Sequence, residues 1–277
     1  MSVPAGVLKV CGATGPADIA LLADHGANCV GLWHGVPGGH ADLPEDRLAG
    51  LVSAAHATGR LEPVLVTFLG DPDGLVAVAR RTGLRWLQLH AYQPPSVVRA
   101  LRAALPDAVL VKVLHLRDGV CLERPLIGAY ERAGTDLFLL DTTTEDGRIG
   151  STGQSLRARD VLDLLPRLTR PFLLAGGITP AHRPGLEAVV SHPGFRGVDV
   201  DTAARDGHGR LAAPAVSALA RAWRTVPSFP GGVSSVMPGS RGGAPRLAAL
   251  SSLADAPHRL PPPPCDPRHP TPLPDPA

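Results

Sequence analysis

The sequence predicts an α/β chain that folds as a single (β/α)8 TIM barrel with a proline-rich, disordered C-terminal tail. Three observations predict it. Short, almost wholly apolar runs alternate with amphipathic segments along most of the chain, titratable residues stand at the ends of several of those runs, and the alternation stops near Val226. Runs that are apolar at nearly every position suit strands buried on both faces of a parallel sheet. Titratable groups at their ends suit a barrel, whose chemistry sits at the carboxyl ends of its strands.

Taken in order, the strand-like runs are Val7 to Cys11, Cys29 to Trp33, Pro63 to Phe68, Trp86 to Leu89, Val109 to Leu114, Leu137 to Asp141, Phe172 to Ala175 and Gly197 to Val200. The segments between them carry apolar residues at three- and four-residue spacing. Ala17 to Gly26 closes on a glycine, as helices commonly do. The segment after Leu43-Pro44-Glu45 has a proline and acids in its first turn, which suits a helix N-terminus. Pro95 to Leu105 and about Ala213 to Trp223 read as helices by the same spacing. About eight strands and about eight helices fit a (β/α)8 barrel. A doubly wound open sheet is the alternative, but no GxGxxG turn follows the first strand.

The barrel is expected over residues 1–225 and the tail over 226–277. Roughly half of the 30 prolines fall in that last segment, including Pro261-Pro262-Pro263-Pro264. Proline fixes φ and removes a backbone donor, so such a tail builds neither helices nor ladders. The chain of 277 residues carries a net charge of +2, which gives no electrostatic case for nucleic acid. No apolar run is long enough to span a bilayer, and Met1-Ser2-Val3-Pro4-Ala5 lacks the pattern of a secretory signal. Cys11, Cys29, Cys121 and Cys265 show no CxxC spacing, so neither a metal site nor a disulfide framework is indicated. A cytoplasmic location is the resulting expectation, with a small-molecule substrate, no nucleic acid, no membrane, and a monomer or homodimer.

Cys11, Gln88, His90, Lys112, Asp141, Gly176 and Asp201 fall at or near strand ends. Cys11 reads either as a buried, inert thiol or as a base or nucleophile presented to a loop. His90 is by type a general acid or base, or else a packed neighbour of one. Lys112 either pairs with Asp141 or lines the barrel, and Cys29, inside an apolar run, reads as core. Two glycine-rich turns, Gly150-Ser151-Thr152-Gly153 and Ala175-Gly176-Gly177-Ile178, offer backbone N–H groups in the late loops where barrels often hold a phosphate.

From about Leu8 to Thr225 the chain resembles the phosphoribosylanthranilate isomerase family. The likeness rests on Lys9-Val10-Cys11-Gly12, Leu87-Gln88-Leu89-His90, Leu139-Leu140-Asp141, Gly150-Ser151-Thr152-Gly153-Gln154, Leu174-Ala175-Gly176-Gly177-Ile178 and Gly197-Val198-Asp199-Val200, in that order. The resemblance implies a barrel performing an Amadori rearrangement in tryptophan biosynthesis without metal or organic cofactor. It implies Asp141 as the acid that opens the sugar ring and Cys11 as the base that takes the C2 proton. The expected substrate contacts are Lys9, His40, Gln88, His90, Lys112 and Arg205. Gly150, Thr152, Gly153, Gly176, Gly177 and Thr202 are the expected phosphate contacts.

Two stretches depart from the family pattern. Where the family has an arginine in a Ser-Pro-Arg turn that holds the anthranilate carboxylate, this chain reads Gly38-Gly39-His40. A histidine does not reproduce the parallel hydrogen bonds of a guanidinium. Where the family has a Ser-Ser-Gly-Val-Glu phosphate loop, this chain reads Asp201-Thr202-Ala203-Ala204-Arg205. Asp201 repels a phosphate, and Arg205 either supplies a new phosphate contact or pairs with Asp201. The alternatives are therefore a divergent barrel acting on a different, non-phosphorylated substrate in specialised metabolism, and a non-catalytic barrel that binds a ligand or partner.

Overall fold

Alternation along a strand sends successive side chains to opposite faces, and in a closed sheet those faces become two separate cores. The computed structural model describes residues 3–143 and 156–224. The expected tail and the Gly150-Ser151-Thr152-Gly153 turn lie outside the described residues. The elements run β1 (Val7–Cys11), α1 (Pro16–Asp24), β2 (Cys29–Trp33), α2 (Glu45–Ala57), β3 (Glu62–Thr67), α3 (Pro72–Thr82), β4 (Trp86–Leu89), α4 (Pro95–Ala104), β5 (Val109–Arg117), β6 (Val120–Cys121), α5 (Ile127–Ala133), β7 (Leu137–Thr142), α6 (Ala158–Leu162), β8 (Phe172–Leu174), α7 (Glu187–Val190), β9 (Phe195–Val200) and α8 (Ala213–Trp223). The sheet order is β4-β3-β2-β1-β9-β8-β7-β5-β6, and a further β4–β5 pairing closes it. Every pairing is parallel except β5–β6, so β6 is a short hairpin appended to a closed parallel barrel.

The (β/α)8 expectation holds. Two differences are local. Strand β5 continues to Arg117, beyond the expected end at Leu114, because the β6 hairpin gives its last residues a partner. The helices α6 and α7 are short, spanning five and four residues.

Parity sorts the apolar residues as a barrel requires. Val7, Cys29, Val64, Val109, Val111, Val113, Leu137, Leu139, Leu173 and Ala175 form the interior core. Their strand neighbours, such as Leu8, Val10, Val30, Leu65, Leu110, Leu140 and Val198, pack outward against the helices. The helix layer is set by local chemistry. Asp71 caps α3 through the backbone N–H groups of Asp73 and Gly74, and Gly83, at φ 75°, ends it. Trp223, 2% exposed, anchors α8 and donates from Nε1 to the carbonyl of Thr179 at 3.2 Å.

Gly197 is the tightest point of closure. It sits opposite Val7 at φ 147°, next to a register irregularity between β8 and β9. A Cβ there would lie 1.9 Å from the Val7 carbonyl oxygen. Gly197→Ala is therefore expected to push β9 off β1 and to cost on the order of 3 kcal/mol. Urea denaturation of the two proteins measures it, and an unchanged midpoint would contradict the close approach.

Candidate active site

Interior parity places Lys9 and Cys11 of β1, Gln88 of β4 with His90 just past it, His115 of β5, Asp141 of β7 and Asp199 of β9 inside the barrel, towards the carboxyl ends of the strands. All are buried. In a parallel barrel neighbouring residues in register lie side by side on one face, so Lys9 faces Asp199, and His115 stands beside Asp141.

Lys9 joins the first group. Its Nζ donates to Asp199 Oδ2 at 2.7 Å and to Cys11 Sγ at 2.8 Å. Burial opposes its charge, but the Asp199 carboxylate and the Cys11 sulfur outweigh that and raise its pKa above the usual lysine range. The Cys11 thiol lies 3.7 Å from Asp199 Oδ2. Burial pushes its pKa up to about 12, helped by Asp199 and opposed by Lys9. Gly31 lies opposite Cys11, and a Cβ at Gly31 would come within 2.4 Å of Sγ. Only a residue without a side chain leaves the sulfur that space.

Asp141 anchors the second group. Its carboxyl is buried and its pKa rises to about 7, first through burial and then through the charge of Asp199, against the backbone N–H of Thr142 and the more distant Lys9. His90 Nε2 lies 3.5 Å from Asp141 Oδ2, and Gln88 Nε2 lies 2.9 Å from His90 Nδ1. Burial, reinforced by His115, Lys9 and Lys112, holds the His90 pKa well below the usual value and keeps the ring neutral. With the Gln88 amide donating to Nδ1, the ring proton is on Nε2, facing Asp141. Gln88 Oε1, His90 Nε2 and Asp199 Oδ1 are buried without a hydrogen bond among the described residues. That is hydrogen-bonding capacity a bound substrate can use. No group of three or more His, Cys, Asp or Glu among the described residues is arranged to hold a metal ion.

The other expected site residues divide. Lys112 sits on the outward parity of β5 and does not reach Asp141. Its Nζ donates to the carbonyls of Ala91 at 2.6 Å and Val113 at 2.8 Å, and it lies over the Tyr130 ring. Arg205 is engaged by protein atoms. Its Nε donates to Asp201 Oδ1 at 2.7 Å, Nη1 to the Gly209 carbonyl at 2.9 Å, and Nη2 to the carbonyls of Gly12 at 3.0 Å and Cys11 at 3.2 Å. Of the two readings of Arg205, pairing with Asp201 is the one the structure holds. His40 is half exposed at the mouth, edge-on to Trp33, with Nε2 3.8 Å from Asp201 Oδ2. Thr202 opens a single 3-10 turn after β9. Gly176 and Gly177 turn the chain after β8 at φ 83° and 62°, and a Cβ at Gly176 would strike Thr142 Oγ1. Gly150, Thr152 and Gly153 lie outside the described residues. Cys29 is a buried interior residue, as expected.

Sequence reasoning passed over Asp199 as a site residue, although Gly197, Asp199 and Asp201 alternate on one face. It also passed over His115, which continues the Val109, Val111, Val113 parity one step past the expected strand end.

The Asp141 environment has a measurable consequence. Its folded pKa, about 7, lies above the unfolded reference of 3.8, so the folded state binds the proton more tightly. Stability is therefore lost as pH rises from about 4 to 7, while the buried carboxyl is forced to ionise. Asp141→Asn removes that cost, and above pH 7 the variant is expected to be more stable by on the order of 2 kcal/mol. Denaturant midpoints across pH 4 to 8 test this, and a gain that does not grow with pH would contradict it.

No protein-family model matches the chain. An N-(5'-phosphoribosyl)anthranilate isomerase of Afipia carboxidovorans is 32% identical over 226 residues, which cover 81% of this chain and 92% of the relative. One of Haloferax volcanii is 32% identical over 221 residues, covering 79% and 93%. Among solved structures, the phosphoribosyl anthranilate isomerase of Thermus thermophilus is 23% identical, with a TM-score of 0.62 over 78% of this chain and 96% of that one. Fold, order of motifs and sequence agree: the chain belongs to the phosphoribosylanthranilate isomerase family and is an isomerase.

Proposed function

We propose that the chain catalyses the Amadori rearrangement of N-(5'-phosphoribosyl)anthranilate to the corresponding 1-amino-1-deoxyketose, a step of tryptophan biosynthesis, with Asp141 as general acid and Cys11 as general base. The observation that carries this reading is the buried Asp141 carboxyl, held protonated to about pH 7 at the mouth of a barrel whose β1 and β9 strands present Cys11, Lys9 and Asp199. A carboxyl with that pKa can donate near neutral pH, as ring opening requires.

The steps balance on these groups. Asp141 gives its proton to the ring oxygen, the bond from C1 to that oxygen breaks, and the nitrogen lone pair forms an iminium at C1. The Cys11 thiolate takes the proton from C2, leaving an enolamine that tautomerises to the ketone. The working thiolate is the form in which Asp141 rather than Cys11 holds the single proton of the pair, and the Lys9 ammonium hydrogen-bonds the sulfur. The positive iminium beside Cys11 favours the thiolate. The backbone N–H groups of the Gly176–Gly177 turn supply the phosphate contact, as glycine turns do in barrel loops.

A second reading keeps the acid and base but changes the substrate to a related amine–sugar adduct. What favours it is the pairing of Asp201 with Arg205 beyond β9, together with a histidine in place of the expected carboxylate-binding arginine.

Complementation of a tryptophan auxotroph lacking this isomerase separates the two. Growth supports the first reading, and no growth from a folded, expressed protein favours the second. In the purified enzyme, Cys11→Ala and Asp141→Asn are each expected to lower kcat by ~10²–10⁴ while preserving the fold. Full activity in either removes its assignment.

The pH profile follows from the order of the two groups, about 7 for Asp141 and about 12 for Cys11. The working pair, protonated Asp141 with thiolate Cys11, holds as many protons as the resting pair, carboxylate with thiol. kcat/KM is expected to rise through about pH 7, as the doubly protonated form disappears, and to stay level above it. A fall through pH 7 would place the thiol below the acid and contradict this order.

A further inference from the structure

The buried His115–Glu123 pair is used by none of the steps above. His115 is fully buried and occupies the interior position in register with Asp141. Its Nδ1 lies 2.6 Å from Glu123 Oε1, its Nε2 lies 3.0 Å from the His90 carbonyl oxygen, and its backbone N–H donates to Glu123 Oε2 at 2.8 Å. A carboxylate and a carbonyl only accept, so both ring nitrogens act as donors. Glu123, 4% exposed, supplies the matching negative charge. Burial would push the Glu123 pKa up, but the hydrogen bond from His115 holds it below the usual carboxylate value.

The His90 carbonyl is the main-chain end of the residue whose ring faces Asp141. It is gripped by His115, while Gln88 grips the ring at Nδ1. The His90 and His115 rings lie 6.1 Å apart at 71°, and the Tyr92 ring closes over His115 at 4.7 Å. The loop after β4 is thereby fixed from β5 and from the turn after the β6 hairpin.

We propose that His115, clamped by Glu123, is a positioning residue for the acid: it fixes the end of β4 so that the His90 Nε2–H faces Asp141 and stabilises the carboxylate left when Asp141 donates its proton. The inference rests on Asp141 being the acid of the proposed reaction. The groups that bear on Asp141 are Asp199 from β9, Lys9 from β1, His90 after β4 and His115 beside it on β5. The Thr142 backbone N–H donates to Asp141 Oδ1 at 2.8 Å, so among the described residues His90 is the side chain that turns a neutral N–H towards Oδ2, and His115 is the side chain that holds the His90 carbonyl.

Glu123→Gln tests this. The amide removes one of the acceptors, and a His115 that keeps a single ring proton turns a lone pair towards the His90 carbonyl. The ion pair becomes two neutral groups, so local net charge is unchanged and the effect travels through geometry. Asp141 loses the N–H that favours its carboxylate, so its titration midpoint is expected to move to higher pH. Carbon-13 carboxyl NMR on the full chain reads this without turnover, with Asp141 assigned from Asp141→Asn. In the assay the rising limb of kcat/KM should move the same way, and its plateau should fall on the order of tenfold, part of the ~10²–10⁴ a positioned acid contributes. A merely structural role lowers thermal stability and leaves the midpoint where it was, which overturns the proposal. Should the variant not fold, nitrogen-15 histidine spectra of the wild type at pH 7 decide: a His115 ring with only one protonated nitrogen overturns it. If the wild type turns over no phosphoribosylanthranilate, yet Glu123→Gln shifts the Asp141 midpoint, the reaction is overturned and the clamp stands.

Discussion

The Lys9 ammonium, held between the Cys11 sulfur and the Asp199 carboxylate, is the interaction on which the site depends. All three groups are buried inside the barrel, where an isolated charge costs several kcal/mol. Neither charge is tolerable alone. Lys9 without Asp199 is an unpaired buried cation, and Asp199 without Lys9 an unpaired buried anion. Parallel pairing of β1 with β9 puts the two in register, so the closure of the barrel and the neutralisation of the cluster are one event. The close approach at Gly197 sits on the same β1–β9 seam. A fault in that seam therefore damages packing and chemistry together.

The same ammonium divides the labour of two carboxylates. Asp199 has Nζ at 2.7 Å. Among the described residues Asp141 has no cation in hydrogen-bond reach; its neighbour is a neutral imidazole at 3.5 Å, and it also feels the negative charge of Asp199. Two interior aspartates thus sit in opposite environments, because among the described residues one has an ammonium in hydrogen-bond reach and the other does not. This is the general route by which one fold holds an acid and a base at the same pH.

The fold was legible in the sequence because barrel strands are buried on both faces and announce themselves as unbroken apolar runs. All eight expected runs overlap observed parallel strands. Cys11 and Asp141 were legible as strand ends, and the family likeness joined them. Parity was the information left unread. Lys112 lies one residue off the Val111, Val113, His115 face, so it packs beneath Tyr130 and never meets Asp141. His115 lies on that face, but it follows the point where the apolar run seemed to end. The strand is prolonged by pairing with Val120 and Cys121, a hairpin too short to register as a periodic pattern. Glu123 became visible only once that hairpin had folded it back onto His115.

Arg205 shows how a local departure changes what the rest of the site must do. A guanidinium has five donors, and here it meets Asp201, Gly209, Gly12 and Cys11. Its two contacts on β1 and the residue after it tie the loop beyond β9 to the main chain that carries the thiol. Gly12, at φ 79°, leaves no room for a Cβ beside that guanidinium. A group committed in this way braces Cys11 and has little left for an anion. The Gly176–Gly177 turn, proposed above as the phosphate contact, follows a different strand, β8. The Cys11 thiol is thus placed by contacts separate from the turn proposed to hold the substrate's phosphate. That separation lets the grip on the substrate change while the distance between Cys11, Lys9 and Asp199 stays fixed.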